Sequence, residues 1–204
     1  ETWLVHSAAG GVGSALLQLA RLAGVQVIGV VGGPHKVEHA RAMGAAEVID
    51  KSQEPLWPQA EKLAPNGFDA IFDPNGVTTL RQSYAHLAPT GRLVIYGFHG
   101  MLPRDGRRNW LKLALGWLRT PRFNPLHMTR DNRSVLAANL SFLQSHAPSL
   151  REGMLWLLAR FKEGELTPLP VETWPLAQAA RAQQRIESGQ TIGKLVLLTE
   201  KDQS

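Results

Sequence analysis

The chain has 204 residues, no cysteine, and a formal net charge of +5 from 22 basic and 17 acidic side chains. This size fits one domain or one domain with an appendage. The missing cysteines exclude disulfides and thiolate metal sites within this chain and fit a reducing, cytoplasmic setting. No uninterrupted apolar run reaches the roughly 18 residues of a membrane-spanning helix. No basic segment precedes the first apolar run, which points away from a secretory signal.

Thr2 to Ser7 reads as a buried strand, followed by the glycine cluster Ala8-Ala9-Gly10-Gly11-Val12-Gly13. Val12, Leu16, Leu19, Ala20 and Ala23 then recur at helical spacing until Gly24. Val25–Val31 reads as a second strand. Pro34 fits the first turn of a second helix, which Gly44 closes. Ala46–Asp50 is a short third strand, and Leu56–Leu63 a helix that Pro65-Asn66-Gly67 ends. Phe68–Asp73, a helix over Thr78–Leu87, a turn at Pro89-Thr90-Gly91 and a strand over Arg92–Gly97 complete a regular alternation. Strands alternating with helices require a parallel sheet covered on both faces. The predicted fold is therefore α/β, a Rossmann-type doubly wound parallel sheet.

The alternation fails after Gly100. A helix with two tryptophans is expected over Asn109–Leu118, and an edge strand over Phe123–Met128 that could extend a sheet across a homodimer. Helices are expected over Arg133–Gln144 and Leu150–Glu163. A proline-rich connector leads to a helix over Pro175–Glu187 and a last strand over Gly193–Leu198. The expected domain occupies 1–170, with a helical insertion at about 101–150.

The glycine cluster carries the chemistry. A strand that turns through glycines into a helix presents unpaired helix amides to a phosphate, and the backbone must approach closely. Ala9, Gly10, Gly11, Val12 and Gly13 are accordingly expected at a dinucleotide pyrophosphate. An acid at the end of the second strand would hold an NAD ribose; Val31-Gly32-Gly33 stands there instead. Lys36 follows Gly32, and Lys51 follows the third strand. Cations welcome a 2′-phosphate, so NADPH is favoured over NADH. Asn75, in the loop after the fourth strand, and Tyr96, Gly97 and Phe98, after the fifth, should flank the ribose and nicotinamide. No catalytic residue is nominated.

Other chemistries find little support. Tyr84 and Tyr96 lack a lysine four residues on, as a short-chain dehydrogenase would need. The seven histidines show no metal-ligand spacing and are expected at the surface or in caps. An S-adenosylmethionine-dependent enzyme shares the first strand and turn, but would want the absent acid. Arg104, Arg107, Arg108, Lys112, Arg119 and Arg122 concentrate positive charge; an anionic cofactor or a lipid surface would be attracted there. No nucleic-acid motif accompanies that charge, so nucleic acid is not an expected partner.

The stretch His6–Gly13 resembles the cofactor turn of medium-chain dehydrogenases/reductases, specifically the zinc-free quinone oxidoreductases. The likeness continues through Gly44–Asp50, Phe68–Asp73, Gly91–Gly97 and Ile192–Val196. Arg108-Asn109-Trp110-Leu111 resembles the branch of vesicle amine transport protein homologues. The resemblance implies NADPH as cofactor, with Gly10–Gly13 at the pyrophosphate, Lys36 at the 2′-phosphate and Tyr96–Phe98 beside the nicotinamide. It extends the cofactor site to Lys194, within the matching stretch near the C-terminus. It implies hydride transfer to a quinone or an α,β-unsaturated carbonyl, with no bound metal. In the vesicle-associated branch it implies a membrane-linked role with regulatory NADPH. Many quinone reductases carry tyrosine where this chain has Lys51. The family's N-terminal catalytic domain is not in this sequence, and 171–204 resembles the segment that returns to it, so an excised cofactor-binding half is expected.

Overall fold

The computed structural model describes residues 1–98 and 110–199. Six parallel strands form one sheet: β1 (Thr2–Val5), β2 (Gln26–Val31), β3 (Glu47–Asp50), β4 (Phe68–Asp73), β5 (Leu87–Ile95) and β6 (Ser134–Ala137). Their spatial order is β3-β2-β1-β4-β5-β6, with the order reversing beside β1. This is the doubly wound dinucleotide-binding order, and ligands of such sheets bind outside the strand ends at that reversal. Helices α1 (Gly11–Leu22), α2 (Val37–Met43), α3 (Leu56–Leu63) and α4 (Leu80–Ala85) connect the strands.

The strands are apolar on both faces because helices cover both. Alternate residues of one strand feed different cores, as the two-residue side-chain period demands. Leu4, Ile28, Val30, Phe68 and Ile71 join the α3 side with Ala60 and Leu80. Val5, Val27 and Val31 join the α1–α2 side with Leu17, Ala20 and Ala40. Burying each of the larger side chains contributes about 1.5–3 kcal/mol. Gly29 on β2 lets the helical layer approach: a side chain there would meet the methyl groups of Ala8 and Ala45 at 3.1 and 3.3 Å.

Pro89-Thr90-Gly91 does not break the chain between helix and strand as expected. It forms a bulge inside β5, where the register to β4 passes from Phe68↔Leu87 to Ala70↔Arg92. Thr90 takes a left-handed φ of 68° and donates its amide to Asn132 O at 2.6 Å. Gly91 lies so close to Phe68 O that a side chain would stand 2.7 Å from it.

The second half departs further from expectation. After α5 (Trp110–Arg119), the segment expected as an edge strand at 123–128 is instead largely helix α6 (Pro125–Asp131). Asn124 caps it by accepting the Leu126 amide at 3.0 Å, and Pro125 occupies the first position. That pair is a helix-start signal. The segment expected as a helix at 133–144 begins with β6, which pairs with β5 through Val135↔Leu93 and Leu136↔Val94. The sheet edge is therefore β6, and the homodimer expectation loses the strand on which it rested. Helix α7 (Ala147–Lys162) follows, then β7 (Val171–Pro175), α8 (Ala179–Glu187) and β8 (Lys194–Leu198). β7 and β8 form a separate two-stranded parallel sheet, and β7 has no counterpart in the sequence reading. Arg104, Arg107 and Arg108 lie outside the described residues.

Candidate dinucleotide site

The site forms where β1 meets α1. Ser7 turns the chain with a left-handed φ of 53°, and its carbonyl accepts the Gly10 amide at 2.9 Å. Ala8 and Ala9 sink into the core, while Gly10 is exposed and precedes the helix. Gly13 packs against this turn: a methyl there would lie 2.7 Å from Ala8 Cα and 2.9 Å from Ala8 C. Helix α1 can therefore reach β1 only through glycine. No acidic side chain occupies its first turn, and no side chain caps its start. Its first amides are left for an external acceptor, where the helix dipole favours an anion.

A cation stands over that opening. Lys194, the first residue of β8, reaches Gly11 so closely that a Cβ there would lie 2.5 Å from Nζ. Val12 projects outward, 53% exposed. The structure thus brings Ala9, Gly10, Gly11, Val12, Gly13 and Lys194 into one locality from opposite ends of the chain.

A second cationic group gathers past β2. Gly32 is exposed there, with Lys51 Cε 3.7 Å from where its Cβ would stand. Lys36 is half-buried, and its ammonium donates to the carbonyl of Gly189. Burial holds the Lys36 pKa below the usual lysine range, and the charges of Lys51 and Arg185 push it the same way. Arg185 is a site candidate that sequence reasoning missed; it comes from α8, and only the fold brings it near. Arg185 also faces Glu172 at 3.9 Å, so the excess of positive charge rests on Lys36 and Lys51, which a phosphate dianion would stabilise.

The loops after β4 and β5 meet each other. Gly76 has a φ of 80°, and a side chain there would run into Phe98 at 2.5 Å. A side chain on Gly97 would lie 3.0 Å from Pro74 O. Asn75 Oδ1 faces Ser7 Oγ at 3.4 Å, which joins the β4 loop to the turn after β1. Tyr96 is partly buried, its hydroxyl has no hydrogen-bond partner among the described residues, and burial pushes its pKa up, with Asp73 adding to the effect. Phe98 is 44% exposed.

Beneath these loops lies a polar core that the sequence reading missed. His6 is not a surface or capping residue but buried, with Nε2 3.1 Å from Ser83 Oγ. Ser83 Oγ donates to Asp73 Oδ2 at 2.8 Å. Burial lowers the His6 pKa to about 4; Asp73 opposes that effect and Lys51 adds to it. The ring is neutral at pH 7. Position 6 continues the buried run Leu4-Val5 at the end of β1, but no local signal points to the serine 77 residues away that meets it.

A cavity of about 850 Å³ lies elsewhere, lined by Val77, Arg81, Leu118, Arg119 and Arg122 among others. None of the sequence-predicted cofactor residues lines it.

Sheet order, glycine turn and flanking cations define a dinucleotide-binding domain. Residues 11–141 match the family model described as zinc-binding dehydrogenase, and the chain belongs to that family. Within it, the chain is of the medium-chain dehydrogenase/reductase type represented by quinone oxidoreductases and VAT-1 homologues. It is 31% identical to the synaptic vesicle membrane protein VAT-1 homolog of Rattus norvegicus, over 96% of this chain and 48% of that protein. It is 30% identical to a 2-haloacrylate reductase of a Burkholderia species, over 96% of this chain and 54% of that protein. The Escherichia coli quinone oxidoreductase, solved in complex with NADPH, superposes with a TM-score of 0.77 at 25% identity. That match covers 97% of this chain and 57% of the E. coli chain. The chain thus spans about half the length of the curated relatives it matches.

The zinc in the family's description finds no donor set here. The sequence has no cysteine, and among the described residues no three His, Asp or Glu side chains group as metal ligands.

Proposed function

We propose that this chain is the NADPH-binding domain of a zinc-independent oxidoreductase acting on a quinone or an α,β-unsaturated carbonyl. The observation that carries the reading is the cationic group Lys36, Lys51 and Arg185 past β2, where an NAD-binding site would place an acid. The NADPH in the E. coli relative supports the same choice. The first amides of α1 would hold the pyrophosphate, with Lys194 neutralising its charge. Lys36 and Lys51 would meet the 2′-phosphate. Asn75 and the segment Tyr96–Phe98 would flank the nicotinamide and keep water from one side of it. When bound, the cofactor supplies a hydride; the protein contributes positioning rather than an acid–base pair. A second domain would complete the substrate cleft, and a cytoplasmic location goes with this reading.

Calorimetric titration of wild type and a Lys36→Ala/Lys51→Ala variant with NADPH and NADH tests the proposal. The variant should lose NADPH affinity by at least tenfold while NADH binding changes little. An unchanged NADPH/NADH ratio would sink the assignment.

A second reading rests on α5. Leu115, Trp117 and Leu118 are 50–66% exposed beside Arg119 and Arg122. Apolar and basic groups side by side suit an anionic lipid surface, as the VAT-1 likeness invites. Co-sedimentation with phosphatidylserine vesicles decides it: Trp117→Ala/Arg119→Ala/Arg122→Ala should reduce partitioning, and unaltered partitioning removes this reading.

A further inference from the structure

The carboxylate of Asp73 is fully buried at the last position of β4, and no lysine or arginine pairs with it among the described residues. Isolated buried charge is costly and persists only when hydrogen bonds surround it. Here Oδ1 accepts the amides of Asn75 at 2.8 Å and Gly76 at 3.2 Å, and Thr79 Oγ1 at 2.9 Å. Oδ2 accepts Ser83 Oγ at 2.8 Å. One carboxylate thus shapes the whole loop that carries Asn75.

The second oxygen reaches farther. A serine hydroxyl has one proton, and Ser83 gives it to Asp73. Its oxygen must then accept from His6, so the neutral ring carries its hydrogen on Nε2. His6 also donates its backbone amide to Phe72 O at 3.1 Å. The next residue is Ser7, whose carbonyl anchors Gly10 and abuts Gly13. A directional chain therefore runs from Asp73 through Ser83 and His6 to the glycine turn.

We propose that Asp73 is a positioning residue of the dinucleotide site, setting the β4 loop directly and the glycine turn through Ser83 and His6. Fully buried, it holds the groups that would meet the cofactor rather than meeting it itself. This inference rests on the dinucleotide reading above.

Two measurements test it. Fluorescence titration should show NADPH binding weakened about tenfold in Asp73→Asn and in Ser83→Ala, with the NADPH/NADH preference unchanged because the cations past β2 are untouched. Thr79→Val, at a partly exposed position, removes one bond to Asp73 and gives a smaller loss; it serves if a core variant does not fold. Histidine-ring NMR, with His6 assigned by His6→Gln, reads the chain's direction. Wild type should show the Nε2–H tautomer. Asp73→Asn should convert it to Nδ1–H, because the new amide donates to Ser83 and turns that hydroxyl toward the ring. Folded variants that bind NADPH as wild type does, or an Nδ1–H ring in wild type, would overturn the proposal. A wild-type chain that binds neither dinucleotide would overturn the function reading as well, which separates the two failures.

Discussion

His6 makes this domain acid-sensitive in a way that can be calculated. The ring is 1% exposed, lies edge-on to Trp57 at 5.8 Å, and faces Asp73 from β4 and the charge of Lys51 beyond β3. Desolvation outweighs the attraction of Asp73 and lowers the pKa from 6.5 to about 4. The unfolded chain therefore binds a proton that the folded chain refuses, and stability rises with pH across that interval. The contribution is complete above pH 6.5 and is lost as pH falls toward 4. At 1.36 kcal/mol per pH unit the full effect is about 3 kcal/mol, and about 2 kcal/mol is gone by pH 5. Urea unfolding of wild type and His6→Gln at pH 7 and pH 5 measures it. Wild type should lose about 2 kcal/mol more than the variant between the two pH values. His39, also held low by burial and bonded to Ser14, contributes equally to both proteins and cancels. Equal losses in the two proteins would refute the argument.

Gly13→Ala should abolish NADPH binding and lower stability by about 1–3 kcal/mol, because its methyl meets the backbone of Ala8 rather than a side chain that can turn away; titration and thermal melting read both effects. Lys194→Ala should weaken NADPH and NADH alike, since the pyrophosphate is common to both, whereas the Lys36/Lys51 variant separates them. Phe68→Ala, at the fully buried first position of β4, should cost about 3–5 kcal/mol by denaturant unfolding. Gly76→Ala should weaken NADPH binding and lower stability by about 1–2 kcal/mol in denaturant unfolding, because φ is positive and Phe98 must move.

Apart from the bulge at Pro89-Thr90-Gly91 and the burial of His6, the first 98 residues were legible because their signals are local. Apolar runs of strand length, helical periodicity and glycine or proline at each junction set β1 to β4 within a residue or two, and α3 to the residue. The glycine turn was legible for the same reason: its strand, its close approach and its helix are contiguous. Past Gly100 local pattern ceased to discriminate. Val135, Leu136 and Ala137 suit a helix or a strand equally, and pairing with β5 made them a strand. The helix start at Asn124-Pro125 carried a local signal that an apolar run obscured.

The sequence by itself determined the alternating α/β architecture, the glycine turn between β1 and α1 and the absence of an acid directly after β2, since each is written in neighbouring residues. Only the tertiary structure decided which distant groups complete the site. It brings Lys194 to Gly11, Gly189 to Lys36, and Ser83 between His6 and Asp73. Those contacts depend on the order in which strands pair and on where β7, α8 and β8 fold back, and no local periodicity encodes either.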